Sequence, residues 1–147
     1  SGNINNRIKI DSTGAVTMPS QPVFSLRSSV SFTGAGVMPF TSEDVDVGNN
    51  CSGGVFTAPI AGKYFFHYHN NHTQGNAGAT SSLWADIQKN SAANNHRMYT
   101  QYNGGWEELS GSVIYNLAAG DTIRVYLGTA HRADAGGYSS FSGYLVG

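Results

Sequence analysis

Along residues 122–127 apolar and polar side chains alternate. Ile123, Val125 and Leu127 fall on one face, Thr122, Arg124 and Tyr126 on the other, the period of two expected of a half-buried antiparallel strand. Leu83, Ala85 and Ile87 repeat the pattern against Trp84, Asp86 and Gln88. Nowhere do apolar residues recur at i, i+3, i+4 and i+7 for three turns, so the pattern predicts almost no helix. Such strands bury their apolar faces when two antiparallel sheets pack face to face, and a jelly roll is the common way of connecting many of them.

Two segments break the alternation. Tyr64-Phe65-Phe66-His67-Tyr68-His69 and Val113-Ile114-Tyr115 present bulky groups to both faces. A strand apolar on both faces must be covered on both. A two-layer sandwich covers only one of them, so the remaining cover is expected from another copy of the chain. Parity leaves open whether Phe65 or Tyr115 meets that copy. Both are candidate interface residues, with His67, His69 and, in the last strand, Tyr144.

The first twenty residues differ in character. Arg7-Ile8-Lys9-Ile10, Asp11-Ser12-Thr13-Gly14 and Ala15-Val16-Thr17-Met18-Pro19 read as two short alternating strands around a glycine-containing turn. Such a hairpin is marginal alone in water, and three parallel copies above a trimeric head would supply its partners. The chain divides accordingly into a hairpin or linker, 1–20, and a head, 21–147.

Composition narrows the partners. A chain of 147 residues is one domain's worth and removes roughly 70% of its unfolded surface from water. Only 12% of residues are charged and the formal net charge is −1, which leaves no electrostatic footprint for nucleic acid or an anionic membrane. Nineteen glycines and eight tyrosines fit short strands joined by tight turns. No apolar run approaches the ~18 residues of a membrane-spanning helix and no signal peptide is read, so membrane insertion is not expected. Ser1-Gly2 reads as the scar of a removed tag on an excised fragment.

Cys51 is the only cysteine, which excludes an intrachain disulfide. It is expected to be a small, partly buried residue before the Gly53-Gly54 turn. Asn50-Cys51-Ser52 and Asn71-His72-Thr73 match the N-glycosylation acceptor pattern, which matters only if the source is a secreted eukaryotic protein.

Several blocks, in order, carry a family resemblance. They are Gln21-Pro22-Val23-Phe24-Ser25, the run Gly53-Gly54-Val55-Phe56-Thr57-Ala58-Pro59-Ile60-Ala61-Gly62-Lys63-Tyr64-Phe65-Phe66, Lys89-Asn90, Ser110-Gly111-Ser112, Gly120-Asp121, and Phe141-Ser142-Gly143-Tyr144-Leu145. Together they resemble the globular head of the complement C1q family over about residues 22–147. The resemblance implies an all-β fold, a ten-stranded antiparallel jelly-roll sandwich of the C1q/TNF type. It implies that Ser110-Gly111-Ser112 opens a strand, that Gly120-Asp121 turns into the next, and that Phe141 to Leu145 is the last strand, buried in mid-sheet. It also implies a closed homotrimer with threefold symmetry. The first twenty residues look similar to the hairpin linkers that precede heads in bacteriophage tail fibres.

Candidate chemistry is sparse. His67 and His69 are two apart in a strand and share a face. Around a threefold axis they would gather into a ring able to hold a metal or, protonated, an anion; the alternative is a hydrogen-bonded interface. The resemblance implies calcium near the trimer apex, with Glu107, Glu108 and Asn103 as its candidate ligands, against a solvated acidic turn. No Gly-x-Ser-x-Gly elbow, Walker loop or dinucleotide fingerprint occurs. A glycosidase needs two opposed carboxylates, and the consecutive Glu107 and Glu108 cannot face each other, so no enzyme is expected.

The function that fits is a trimeric recognition head: the distal, host-attachment domain of a viral or phage fibre, located on the virion and contacting a host cell-surface glycan or protein. The alternatives are a structural trimerisation cap and a secreted C1q-like recognition protein. Ligand contacts are expected in the loops, through Tyr99, Tyr102, Asn103, Trp106, Arg132 and Tyr138, whose aromatic members suit sugar faces.

Overall fold

The computed structural model describes residues 8–72, 82–93, 96–101, 107–128, 132–133 and 136–147, without the side chains of His72 and Arg132. The described residues contain no helix. The strands are β1 (Lys9–Ile10), β2 (Val16–Thr17), β3 (Val23–Arg27), β4 (Phe32–Thr33), β5 (Gly36–Val37), β6 (Ser42–Asp46), β7 (Cys51–Ser52), β8 (Val55–Thr57), β9 (Gly62–His72), β10 (Ser82–Lys89), β11 (Arg97–Gln101), β12 (Glu107–Leu117), β13 (Thr122–Leu127), β14 (Arg132–Ala133) and β15 (Ser139–Leu145).

Two antiparallel sheets make the sandwich. One runs β12-β9-β15-β3-β6; the other runs β11-β10-β13-β8-β7, with β5 also paired to β13. Apart from the consecutive pairs β7–β8 and β10–β11, neighbours within each sheet are distant in sequence, as in a jelly roll. The last strand, β15, lies between β9 and β3, in mid-sheet as its motif implied. Ser110-Gly111-Ser112 falls inside β12 rather than at its start, because pairing with β9 begins at Glu107 opposite His72.

The alternation in β9 sets the core. Tyr64, Phe66, Tyr68 and Asn70 point inward and are fully buried, while Phe65, His67 and His69 point outward. Phe56 of β8 crosses from the second sheet to stack on Phe24 at 4.9 Å, and Phe24 meets Phe141 edge-on at 5.0 Å. From the other side Ile87, Ile123, Val125 and Leu127 close the layer. Each such side chain contributes about 1.5–3 kcal/mol by leaving water.

Turn chemistry fixes the connections. Between β12 and β13, Gly120 takes φ 88°, a region that only glycine enters without strain. Asp121 then accepts hydrogen bonds from the Ala118 backbone, the Asn90 side chain and Lys89. In β7, Cys51 is half-buried beside Asp46. Burial, then the Asp46 and Glu43 carboxylates, push its thiol far up, so it stays protonated and unreactive.

Candidate functional site

The outer face of the five-stranded sheet is where strand register gathers the interface candidates. Ile114 of β12 lies opposite Phe65 of β9, Phe65 opposite Tyr144 of β15, and Tyr144 opposite Val23 of β3. These four form one apolar row across the sheet. The Phe65 and Tyr144 rings lie 5.3 Å apart, as cross-strand aromatic pairs do. In the single chain Ile114 is 58% exposed, Tyr144 47% and Val23 37%, with Phe65 half-buried between them, so the row is left largely open to solvent by the described residues.

Beside it runs a polar row, Ser112, His67, Ser142 and Ser25, and then Ser110, His69, Ser140 and Arg27. His69 Nδ1 is 3.5 Å from Glu108 Oε1, which also accepts from the Ser110 hydroxyl. Arg27 closes the edge with a bidentate ion pair to Asp44. The face is therefore apolar at one end, small and polar across its middle, and charged at its rim.

Tyr115 does not belong to this face. Its side chain turns inward, packs beside the Phe66 ring and donates its hydroxyl to the Ile87 carbonyl at 2.9 Å. Burial, then the nearby Asp86 charge, push its phenol up to about 12. The outward residues of β12 are Ser110, Ser112, Ile114 and Asn116, so Ile114, not Tyr115, shares the outward face with Phe65, His67, His69 and Tyr144.

The acidic pair of β12 divides between the two faces. Glu107 shares the inward parity of the buried Leu109, and Glu108 the outward parity of Ser110, so the two carboxylates leave the strand on opposite sides. Among the described residues no group of three or more His, Cys, Asp or Glu is placed to hold a metal. Asn103, the third candidate calcium ligand, lies outside the described residues, as do Tyr102 and Trp106. Arg132 is described only in its backbone, paired to Thr33.

The two remaining ligand candidates sit on different sheets. Tyr99 projects from β11 of the six-stranded sheet and is 63% exposed; Tyr138, just before β15, is 49% exposed. Around Tyr99 lies a polar ladder that the alternation did not reveal. Arg97 donates Nε and Nη2 to the two carboxylate oxygens of Asp86 at 2.6 and 2.7 Å, and its guanidinium lies 3.8 Å over the Trp84 ring. Trp84 in turn stacks on Tyr126 at 6.2 Å, and Arg124 Nε donates to Gln88 at 3.0 Å. Asp86 is fully buried although it stands on the polar side of β10. A bidentate arginine arriving from the neighbouring strand makes that burial tolerable.

Comparison with known proteins matches this geometry. The C1q domain profile matches residues 23–146. The collagen alpha-1(X) chain of Mus musculus is 33% identical over 101 residues, 63% of this chain and only 13% of that relative's length. Among solved structures, the globular domain of zebrafish complement 1qA protein superposes with a TM-score of 0.67 at 18% identity, covering 86% of this chain and 98% of that one. Murine APRIL superposes with a TM-score of 0.66 at 13% identity, covering 85% and 98%. With a family match across most of its length and the jelly roll shared by both structures, this chain belongs to the C1q domain family.

Proposed function

We propose that this chain is a non-enzymatic, homotrimeric recognition head at the distal end of a fibre-like appendage of a virion, where it contacts a host-surface glycan or protein. The observation that carries the trimer is the uncovered row of Ile114, Phe65, Tyr144 and Val23. An apolar band crossing four strands is what a subunit contact covers, and C1q and TNF-like domains form homotrimers. The hairpin of β1 and β2 joined directly to the head supports the fibre setting.

A trimer presents each loop site three times, so modest affinity per site becomes useful avidity at a repetitive surface. Contacts through the exposed rings of Tyr99 and Tyr138 suit that regime. The test is binding of the purified protein to host cells and to a glycan array, with competition against intact virus. Saturable, competed binding that falls in the Tyr99→Ala or Tyr138→Ala variant is the expected result. A folded trimer that binds no host surface would instead be a structural cap, and glycans occupying Asn50 or Asn71 in the natural source would make it a secreted recognition protein.

A further inference from the structure

The β1–β2 hairpin has one apolar face. Lys9 pairs with Thr17 and Ile10 with Val16, and the same register sets Ile8 across from Met18. Ile8, Ile10, Val16 and Met18 then share one side, with Lys9 and Thr17 on the other. All four apolar side chains are more than half exposed in the single chain. The turn itself is well built: Asp11 Oδ1 accepts from the backbone N–H of Thr13 and Ala15 and from the Thr13 hydroxyl. A two-stranded hairpin with its apolar side in water is marginal, so its stability has to come from whatever covers that side.

The hairpin's attachment says what does. Gln21 donates its backbone N–H to the Met18 carbonyl and its side-chain amide to the Leu145 carbonyl, while the Leu145 N–H donates to Pro22. These bonds hold the end of the hairpin against β15. Val16 and Met18 thereby line, with Gln21, Val23 and Tyr144, an open groove of about 330 Å³. Val23 and Tyr144 are also the end of the apolar row on the sheet. The groove therefore joins the hairpin to the apolar row of the sheet, the face that the trimeric reading above gives to a second copy.

We propose that the hairpin over 8–18 is an assembly clasp, whose apolar face packs on the equivalent hairpin and on the Val23 and Tyr144 groove of a neighbouring copy of this chain. The clasp rests on the trimeric reading above and extends the subunit contact beyond the head.

Methionine oxidation reads the contact. Met18 is exposed in the single chain, whereas Met38 and Met98, the other two methionines, are buried in the core and serve as internal references. The full chain is treated with dilute hydrogen peroxide and its peptides are quantified by mass spectrometry. The comparison is with Phe65→Asp and Ile114→Asp monomers, or with wild-type protein diluted to monomer where neither variant folds. Met18 is expected to oxidise at least about fivefold more slowly in the trimer than in the monomer, and Ile10→Ser to weaken trimer affinity roughly tenfold. Equal Met18 rates in a chain that is trimeric by mass overturn the clasp and leave the trimer standing. Slow oxidation in both states also overturns it, because the cover then comes from the chain itself. A wild-type chain that stays monomeric overturns the trimeric reading and the clasp with it.

Discussion

Replacing Gly143 by alanine places one methyl group where three atoms already stand. Gly143 sits in β15 directly between its cross-strand neighbours Phe66 and Phe24. A Cβ there would lie 2.7 Å from the Phe66 ring, 2.8 Å from the Phe24 ring and 2.8 Å from the Phe65 carbonyl oxygen. The carbonyl belongs to β9 and cannot withdraw without breaking the ladder. Neither ring has room to retreat, since Phe24 is held by Phe56 at 4.9 Å and Phe141 at 5.0 Å, and Phe66 by Phe56 at 5.7 Å. Overpacking of this kind costs about 1–3 kcal/mol, and three simultaneous contacts put Gly143→Ala near the top, about 3 kcal/mol. For a domain of this size that lowers Tm by roughly 6–12 °C. Thermal unfolding followed by near-UV circular dichroism at one fixed protein concentration measures it, with Gly147→Ala, which meets nothing within 4 Å, as the control. A Gly143→Ala chain melting within 2 °C of the parent would refute the picture of rigidly interlocked rings between the sheets.

Three further outcomes follow from other parts of the molecule. Arg97→Ala removes both charge-assisted hydrogen bonds to the buried Asp86 and should destabilise the chain by about 2–3 kcal/mol, read as a lowered urea midpoint with m unchanged. Tyr115→Phe loses the bond to the Ile87 carbonyl, costs about 1 kcal/mol and leaves the assembled mass unaltered; dissociation of the assembly would place Tyr115 at the subunit contact after all. Hydrogen bonds from Asn90, Lys89 and the Ala118 backbone draw Asp121 down to about 2. A carboxyl depressed in the folded state stabilises above its unfolded value, about 3.9, and loses that contribution as pH falls toward 2. Asp121→Asn should therefore flatten the acid limb of a stability–pH curve between about pH 4 and 2, and an unchanged slope there would remove Asp121 from the account.

The parts of this architecture legible in the sequence are those where a period of two meets a single dry face. In β13, Ile123, Val125 and Leu127 are buried as their alternation requires. The glycine and aspartate turn at Gly120-Asp121 and the mid-sheet position of β15 also follow their motifs. Parity fails where both sides of a strand are filled. Phe65 and Tyr115 are directly apolar alternatives in sequence, and only the pairing of Ile114 with Phe65 shows that β12 turns Tyr115 inward. Asp86 fails for a different reason: its burial depends on Arg97 from the neighbouring strand, a contact that no local pattern encodes. Tyr99 and Tyr138 read as loop residues on type alone, whereas Tyr99 stands in β11, paired with Trp84.

Mass in solution tests the central claim most directly. Multi-angle light scattering of the purified chain at micromolar concentration should give three times the 15.6 kDa of one copy, and Phe65→Asp, which sets a carboxylate in the middle of the apolar row, should give one copy with an unchanged circular dichroism spectrum. A wild-type chain that elutes at 15.6 kDa while fully folded would contradict the trimeric head.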